Sequence, residues 1–150
     1  MKQNQSLMSN DKLIQAAAQV RASAHAPYSK FSVGAAPLTR SGKIFLGCNV
    51  ENISLGLTLC AERAAVAAAV VGRQKDFVAI AVVTDSREPA VPCGRCRQVL
   101  AEFNPSIRII TSTASGNMQE FSLTAFVTTA ETRNLESHQC LNFPLFTMCW

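Results

Sequence analysis

A chain of 150 residues, 48% apolar and 16% charged, has the length of one domain and enough apolar mass to pack a core. Its longest run of small apolar side chains, residues 64–71, is far short of the roughly 20 that a membrane helix needs, and residues 1–10 are polar, with no secretory-type apolar segment. The net charge of +4 comes from fourteen Lys and Arg scattered along the chain, without the basic cluster expected of a dedicated nucleic-acid surface. The expectation is one cytoplasmic domain, in which six cysteines are metal ligands or buried thiols rather than disulfides.

In chain order, residues 9–25 form an amphipathic helix capped by Ser9 or Asn10, with Leu13, Ile14, Ala17, Val20 and Ala24 on one face and Pro27 ending it. Residues 31–38 and 43–50 are two strands of a hairpin turning at Ser41-Gly42, with Pro37 expected at an edge or bulge because it cannot donate to a ladder. Residues 60–71 read as a buried, Ala-rich helix stopped by Gly72, open to close approach of another helix from a second subunit. Residues 77–84 are a continuous apolar run of the interior-strand type. A helix over 95–103, a strand over 107–111 and a weaker strand over 121–127 follow. Strands alternating with helices after a hairpin argue for an α/β domain with a mixed sheet covered by helices. Residues 128–150 show no sustained periodicity.

Two segments carry chemistry: Cys60-Ala61-Glu62 and Pro92-Cys93-Gly94-Arg95-Cys96, each at the head of a helix. Free N–H groups and the positive dipole end favour thiolate there. Cys93 and Cys96 lie about one helical turn apart, so their sulfurs can converge on one ion. Three thiolates leave zinc a fourth position for water, the pattern of a catalytic site, and Glu62 stands two residues from Cys60 without being a ligand. Alone, Cys-x-x-Cys is equally a structural zinc knuckle or a redox pair. Joined to Cys-Ala-Glu it matches the zinc-deaminase signature, and a redox reading leaves Cys60 and Glu62 unexplained.

The chain resembles the small homo-oligomeric cytidine deaminases. The likeness rests on four motifs in order: Pro27-Tyr28-Ser29-Lys30-Phe31-Ser32-Val33-Gly34-Ala35-Ala36, Gly47-Cys48-Asn49-Val50-Glu51-Asn52, Cys60-Ala61-Glu62-Arg63, and Pro92-Cys93-Gly94-Arg95-Cys96-Arg97-Gln98-Val99. The resemblance implies a three-layer α/β/α fold with a mixed sheet of about five strands. It implies one zinc per subunit on Cys60, Cys93 and Cys96, and Glu62 as the catalytic proton shuttle. Asn49 and Glu51 would hold the sugar, chiefly its 3′-hydroxyl, Phe31 would pack on the pyrimidine and the Ala61 backbone would bond the base. Arg63 would donate to cysteine sulfurs; three thiolates on Zn²⁺ carry a net −1, and a guanidinium drains charge from them. On residue type alone the lesser alternative for Phe31 is a core residue, and for Asn49 a turn or strand-end residue. Glu51 shares a strand face with Asn49, Cys48 faces away as a buried thiol, and His25 is a helix-end residue.

The implied reaction is hydrolytic deamination of cytidine or deoxycytidine in pyrimidine salvage, zinc acidifying the water and Glu62 carrying the proton to ring N3 and then to the departing amino group. A blasticidin-S-type deaminase shares the second cysteine motif, and a catalytically silent zinc scaffold is the reading from another class. The implied partners are a small nucleoside and further copies of the chain, as a homotetramer or homodimer. Leu55 stands where many relatives have Tyr, and Val91 where Ser is usual. The domain is expected to span 1–127, with 128–150 an atypical tail. Read one base later, codons for residues 127–135 can specify Leu-Pro-Arg-Pro-Arg-Gln-Gly-Ile, a family-type ending, so a shifted frame near codon 126 is the expectation for the tail.

Overall fold

In the computed structural model, which describes residues 2–125, the elements run α1 (Lys2–Arg21), β1 (Val33–Thr39), β2 (Gly47–Cys48), α2 (Ala61–Val71), β3 (Phe77–Thr84), α3 (Gly94–Phe103), β4 (Arg108–Thr113) and β5 (Met118–Ser122). The five strands make one mixed sheet in the order β2-β1-β3-β4-β5. β3 and β4 are parallel, and every other pair is antiparallel.

The period of two along the strands sends alternate side chains to opposite faces. On one face Ala79, Ala81 and Val83 of β3 and Ile110 of β4 meet Leu13 and Ala17 of α1. On the other, Ile80, Val82 and Ile109 meet Ala65, Val66 and Ala69 of α2 and Leu100 of α3. Phe77 joins that second core edge-on to Phe103, with ring centroids 5.2 Å apart. The result is the expected α/β/α layering, with β3 covered on both sides as its unbroken apolar run requires.

Several boundaries differ from the sequence expectation. α1 begins at Lys2 and stops at Arg21, four residues short of the expected end. The chain is drawn away because the His25 amide donates to Asn49 O (2.9 Å) while His25 O accepts the Glu51 amide (2.8 Å), making a short parallel bridge. Pro37 is buried in β1, second from the sheet edge, beside an irregularity at Leu38/Thr39. Its carbonyl accepts the Phe45 amide (3.2 Å), so its nitrogen also faces the frayed hairpin side, where the ladder to β2 is already incomplete and no donor is missed.

α2 is buried along one stripe only, through Ala61, Glu62, Ala65, Val66 and Ala69; Val71 is 85% exposed and Ala67 and Ala68 face outward. Gly72 ends it with φ −74°, and the left-handed residue is Arg73 (φ 58°). Gly72 serves by space instead: a Cβ there would sit 2.5 Å from the Phe45 ring. Among the described residues the last strand is Met118–Ser122, which begins and ends earlier than the expected 121–127 and gives way to a short 3-10 turn at Leu123–Ala125. The expected tail, 128–150, and residues 126–127 lie outside the described residues.

Candidate active site

Cys60 is the N-cap residue of α2 and Cys93 that of α3, both in extended conformation, and neither thiol caps its own helix. Both sulfurs are therefore free to point at a common centre in front of two helix N-termini. Cys93 Sγ lies 3.5 Å from Cys96 Sγ and 4.0 Å from Cys60 Sγ, and all three fall within 4.8 Å of one another. Tetrahedral zinc with Zn–S bonds of about 2.3 Å sets its sulfurs about 3.8 Å apart. The 3.5 and 4.0 Å spacings bracket that value, so this donor set fits zinc.

The thiols differ in surroundings. Cys96 is fully buried, and burial, with the Glu62 carboxylate and the Cys60 thiol beside it, pushes its ionisation strongly upward. Burial also raises Cys93, but bonds from the Cys96 backbone and the Cys96 and Cys60 thiols outweigh it and the net shift is downward. Arg63 donates to Thr58 O at 2.7 Å and to Cys60 Sγ at 3.8 Å, one of the sulfurs it was expected to reach. On the other side, Arg97 Nε donates to Pro92 O at 2.7 Å and pins the turn that presents Cys93.

A cavity of ≈ 230 Å³ opens on this cluster, lined by Phe31, Asn49, Cys60, Ala61, Glu62 and Cys93 among others. Glu62 is 5% exposed, and burial raises its carboxyl above the ordinary value against the bonds from its own amide and Cys96 and the charge of Arg63. A carboxyl lifted in this way holds a proton more readily than an exposed one, as a group that must both accept and return a proton requires.

The expected sugar grip is assembled differently from its expectation. Asn49 lines the cavity, but its Oδ1 accepts the Val33 amide (2.8 Å) and its Nδ2 donates to Phe31 O (2.9 Å). One N–H and one acceptor position remain on that carboxamide. Glu51 is past the end of β2 and outside the cavity lining, with its oxygens bonded by the 28–29 turn. The Ser29 hydroxyl and the Ser29 and Tyr28 amides hold its carboxyl below the ordinary value. Cys48 is half-buried with its Sγ 3.5 Å from Ser23 O, and His25 is the exposed bridge residue described above. Thr58, Val82, Thr84 and Ala90 also line the cavity; nothing in their residue types singled them out.

Residues 8–113 match the model of the cytidine and deoxycytidylate deaminase zinc-binding region. A cytidine deaminase of Halalkalibacterium halodurans is 45% identical over 117 residues, covering 77% of this chain and 89% of the relative. One from Sporosarcina psychrophila is 46% identical over 114 residues, covering 75% and 84%. The crystal structure of cytidine deaminase from Burkholderia pseudomallei superposes with a TM-score of 0.77 at 43% identity, covering 80% of this chain and 97% of that one. With the motifs, the layering and the thiol cluster in agreement, the chain belongs to the zinc-dependent cytidine deaminase family.

Proposed function

We propose that the protein hydrolyses cytidine and deoxycytidine to uridine and deoxyuridine with release of ammonia, in pyrimidine salvage. The observation that carries this is the buried Glu62 carboxyl in the wall of one cavity with Cys60, Cys93, Phe31 and Asn49. Cys60, Cys93 and Cys96 hold the metal, and zinc bound there supplies an acidified water at neutral pH. Glu62 takes a proton from the attacking water at its carboxylate and delivers it to ring N3, then takes the second proton from the hydroxyl added at C4 and passes it to the amino group, which leaves as ammonia. Arg63 withdraws charge from the Cys60 sulfur, which keeps a three-thiolate site from losing its acidity. Phe31 packs against the pyrimidine and the Ala61 backbone, in the first turn of α2, bonds it. Asn49 and Glu51 hold one sugar hydroxyl through the capacity their internal bonds leave free. Two oxygens offer about four acceptor positions, and the 28–29 turn takes three of Glu51's, so one stays open on Oε1.

The catalytic unit in this reading is residues 1–127, with 128–150 a tail apart from it. It works as a homotetramer or homodimer: Ile53 (78% exposed), Leu55 (78%), Leu57 (72%) and Val71 (85%) are apolar side chains that a second copy of the chain covers. The described cysteines form no disulfide, and a three-thiol metal site suits the reducing cytoplasm. Among the described residues no helix is long and apolar enough to cross a membrane.

The test is ammonia release by the zinc-loaded protein from cytidine, deoxycytidine, CMP and blasticidin S in parallel. Turnover of both nucleosides with little of CMP is the expected result. Turnover of blasticidin S alone, or zinc retention without any turnover, overturns the proposal in favour of an antibiotic deaminase or a silent scaffold.

A further inference from the structure

Glu51 is bonded to more of the chain than a sugar-binding carboxylate needs. Its Oε2 accepts the amides of Tyr28 (3.0 Å) and Ser29 (3.2 Å), and its Oε1 accepts the Ser29 hydroxyl. That same hydroxyl oxygen accepts the Phe31 amide at 3.0 Å. Ser29 thus stands between the carboxylate and the backbone of the cavity-lining phenylalanine. From the opposite side, Asn49 bonds both Phe31 O and the Val33 amide.

Phe31 needs this fixing. It is 37% exposed, so core packing does not hold its ring in place. Just before it, Lys30 sits in the left-handed region (φ 58°) with its amide on Ala26 O at 3.1 Å. A lysine keeps that conformation only where its surroundings over-determine it. Here the surroundings are the Glu51 bonds to residues 28 and 29 and the Ser29 bond to residue 31.

We propose that Ser29 is a positioning residue for substrate: its hydroxyl, shared between the Glu51 carboxylate and the Phe31 amide, locks the 26–31 turn and sets where the Phe31 ring stands in the cavity wall. The proposal rests on reading that cavity as the nucleoside site. It gives Glu51 two roles, one toward the sugar and one, through Ser29, toward the base.

The test uses Ser29→Ala in the full, zinc-loaded chain. The expected result is wild-type zinc content, kcat within about twofold, and KM for cytidine raised about tenfold, the worth of one hydrogen bond to a charged group. Amide exchange over residues 28–31 in the substrate-free protein accelerates at least about tenfold, as expected when a local structure loses its bonds. Ser29→Thr, which keeps the hydroxyl, restores both. Wild-type KM and wild-type exchange in Ser29→Ala overturn the proposal, as does a fall in kcat with KM unchanged. Should the native protein prove inactive on cytidine, the functional reading fails by itself, and exchange over 28–31 still decides the lock: acceleration upholds it, none overturns it. If Ser29→Ala does not fold, Ser29→Cys, similar in shape but a weak donor, is judged by the same measurements.

Discussion

A methyl group added at Gly47 tests how the metal cluster is held together. A Cβ on that residue would lie 2.2 Å from Ala65 N, 2.6 Å from Ala61 O and 2.7 Å from Ala65 Cα. All three are backbone atoms of α2, so no side chain can swing aside. Ordinary contact begins at 3.4 Å, and restoring it separates β2 from α2 by about 1 Å. α2 carries Cys60 at its cap and Glu62 in its first turn, whereas Cys93 and Cys96 ride on α3. The shift therefore enters the sulfur spacing and the aim of the carboxyl directly. Overpacking costs about 1–3 kcal/mol of stability, and a misplacement of about 1 Å costs on the order of 10²-fold in rate. Gly34→Ala is the matched control: its Cβ would meet Ala17 O at 2.0 Å and Arg21 N at 2.8 Å, on α1, which bears no site residue. In urea unfolding both variants lose stability. In ammonia release from cytidine and in chelator competition, only Gly47→Ala loses about 10²-fold in kcat/KM and gives up zinc more readily. Equal losses of activity in the two variants, or wild-type turnover in Gly47→Ala, would refute this account of the site.

Three further outcomes follow from the site geometry. Cys93→Ala loses zinc and activity together, measured by metal content and turnover, because a three-thiolate site has no spare ligand; full zinc retention contradicts the ligand assignment. Glu62→Gln keeps zinc and fold but loses about 10²–10⁴-fold in kcat, since an amide bonds yet carries no proton; near-normal turnover removes the shuttle role. Glu51→Ala raises KM for cytidine more than for free cytosine, whose own KM rises only by the share that Glu51 contributes through Ser29 and Phe31, and an enzyme that prefers CMP over cytidine is incompatible with a carboxylate at the sugar.

The metal cluster was legible in the sequence because the chemistry fixes residue types at short spacings: Cys60 with Glu62, and Cys93 with Cys96, each at a helix start. α2, β3 and α3 were legible nearly to the residue because their apolar patterns are local. What failed was set by distant partners. α1 stops at Arg21 because His25 bridges Val50, a contact no periodicity announces. Pro37 is tolerated off the sheet edge because β2 is too short to face it. Asn49 and Glu51 were visible as polar residues of the right type, but their bonds to Phe31, Val33, Tyr28 and Ser29 join residues 16–23 positions apart. Ser29 lies inside the Pro27–Ala36 motif and carries no residue-level signal of its own.

The electrostatics of the cluster tie metal binding to proton transfer. Burial and the Glu62 carboxylate both push Cys96 away from the thiolate form, while burial pushes Glu62 away from its own anion. Three sulfurs and a carboxyl this close do not all ionise without a compensating cation. Two helix N-termini and Arg63 provide part of that compensation, and they do so at fixed positions. A divalent cation held by Cys60, Cys93 and Cys96 would supply the rest, with the thiol protons released on binding. The same burial that disfavours free thiolates also raises the Glu62 carboxyl in the cavity wall, a direction that supports the proton-carrying role proposed for it.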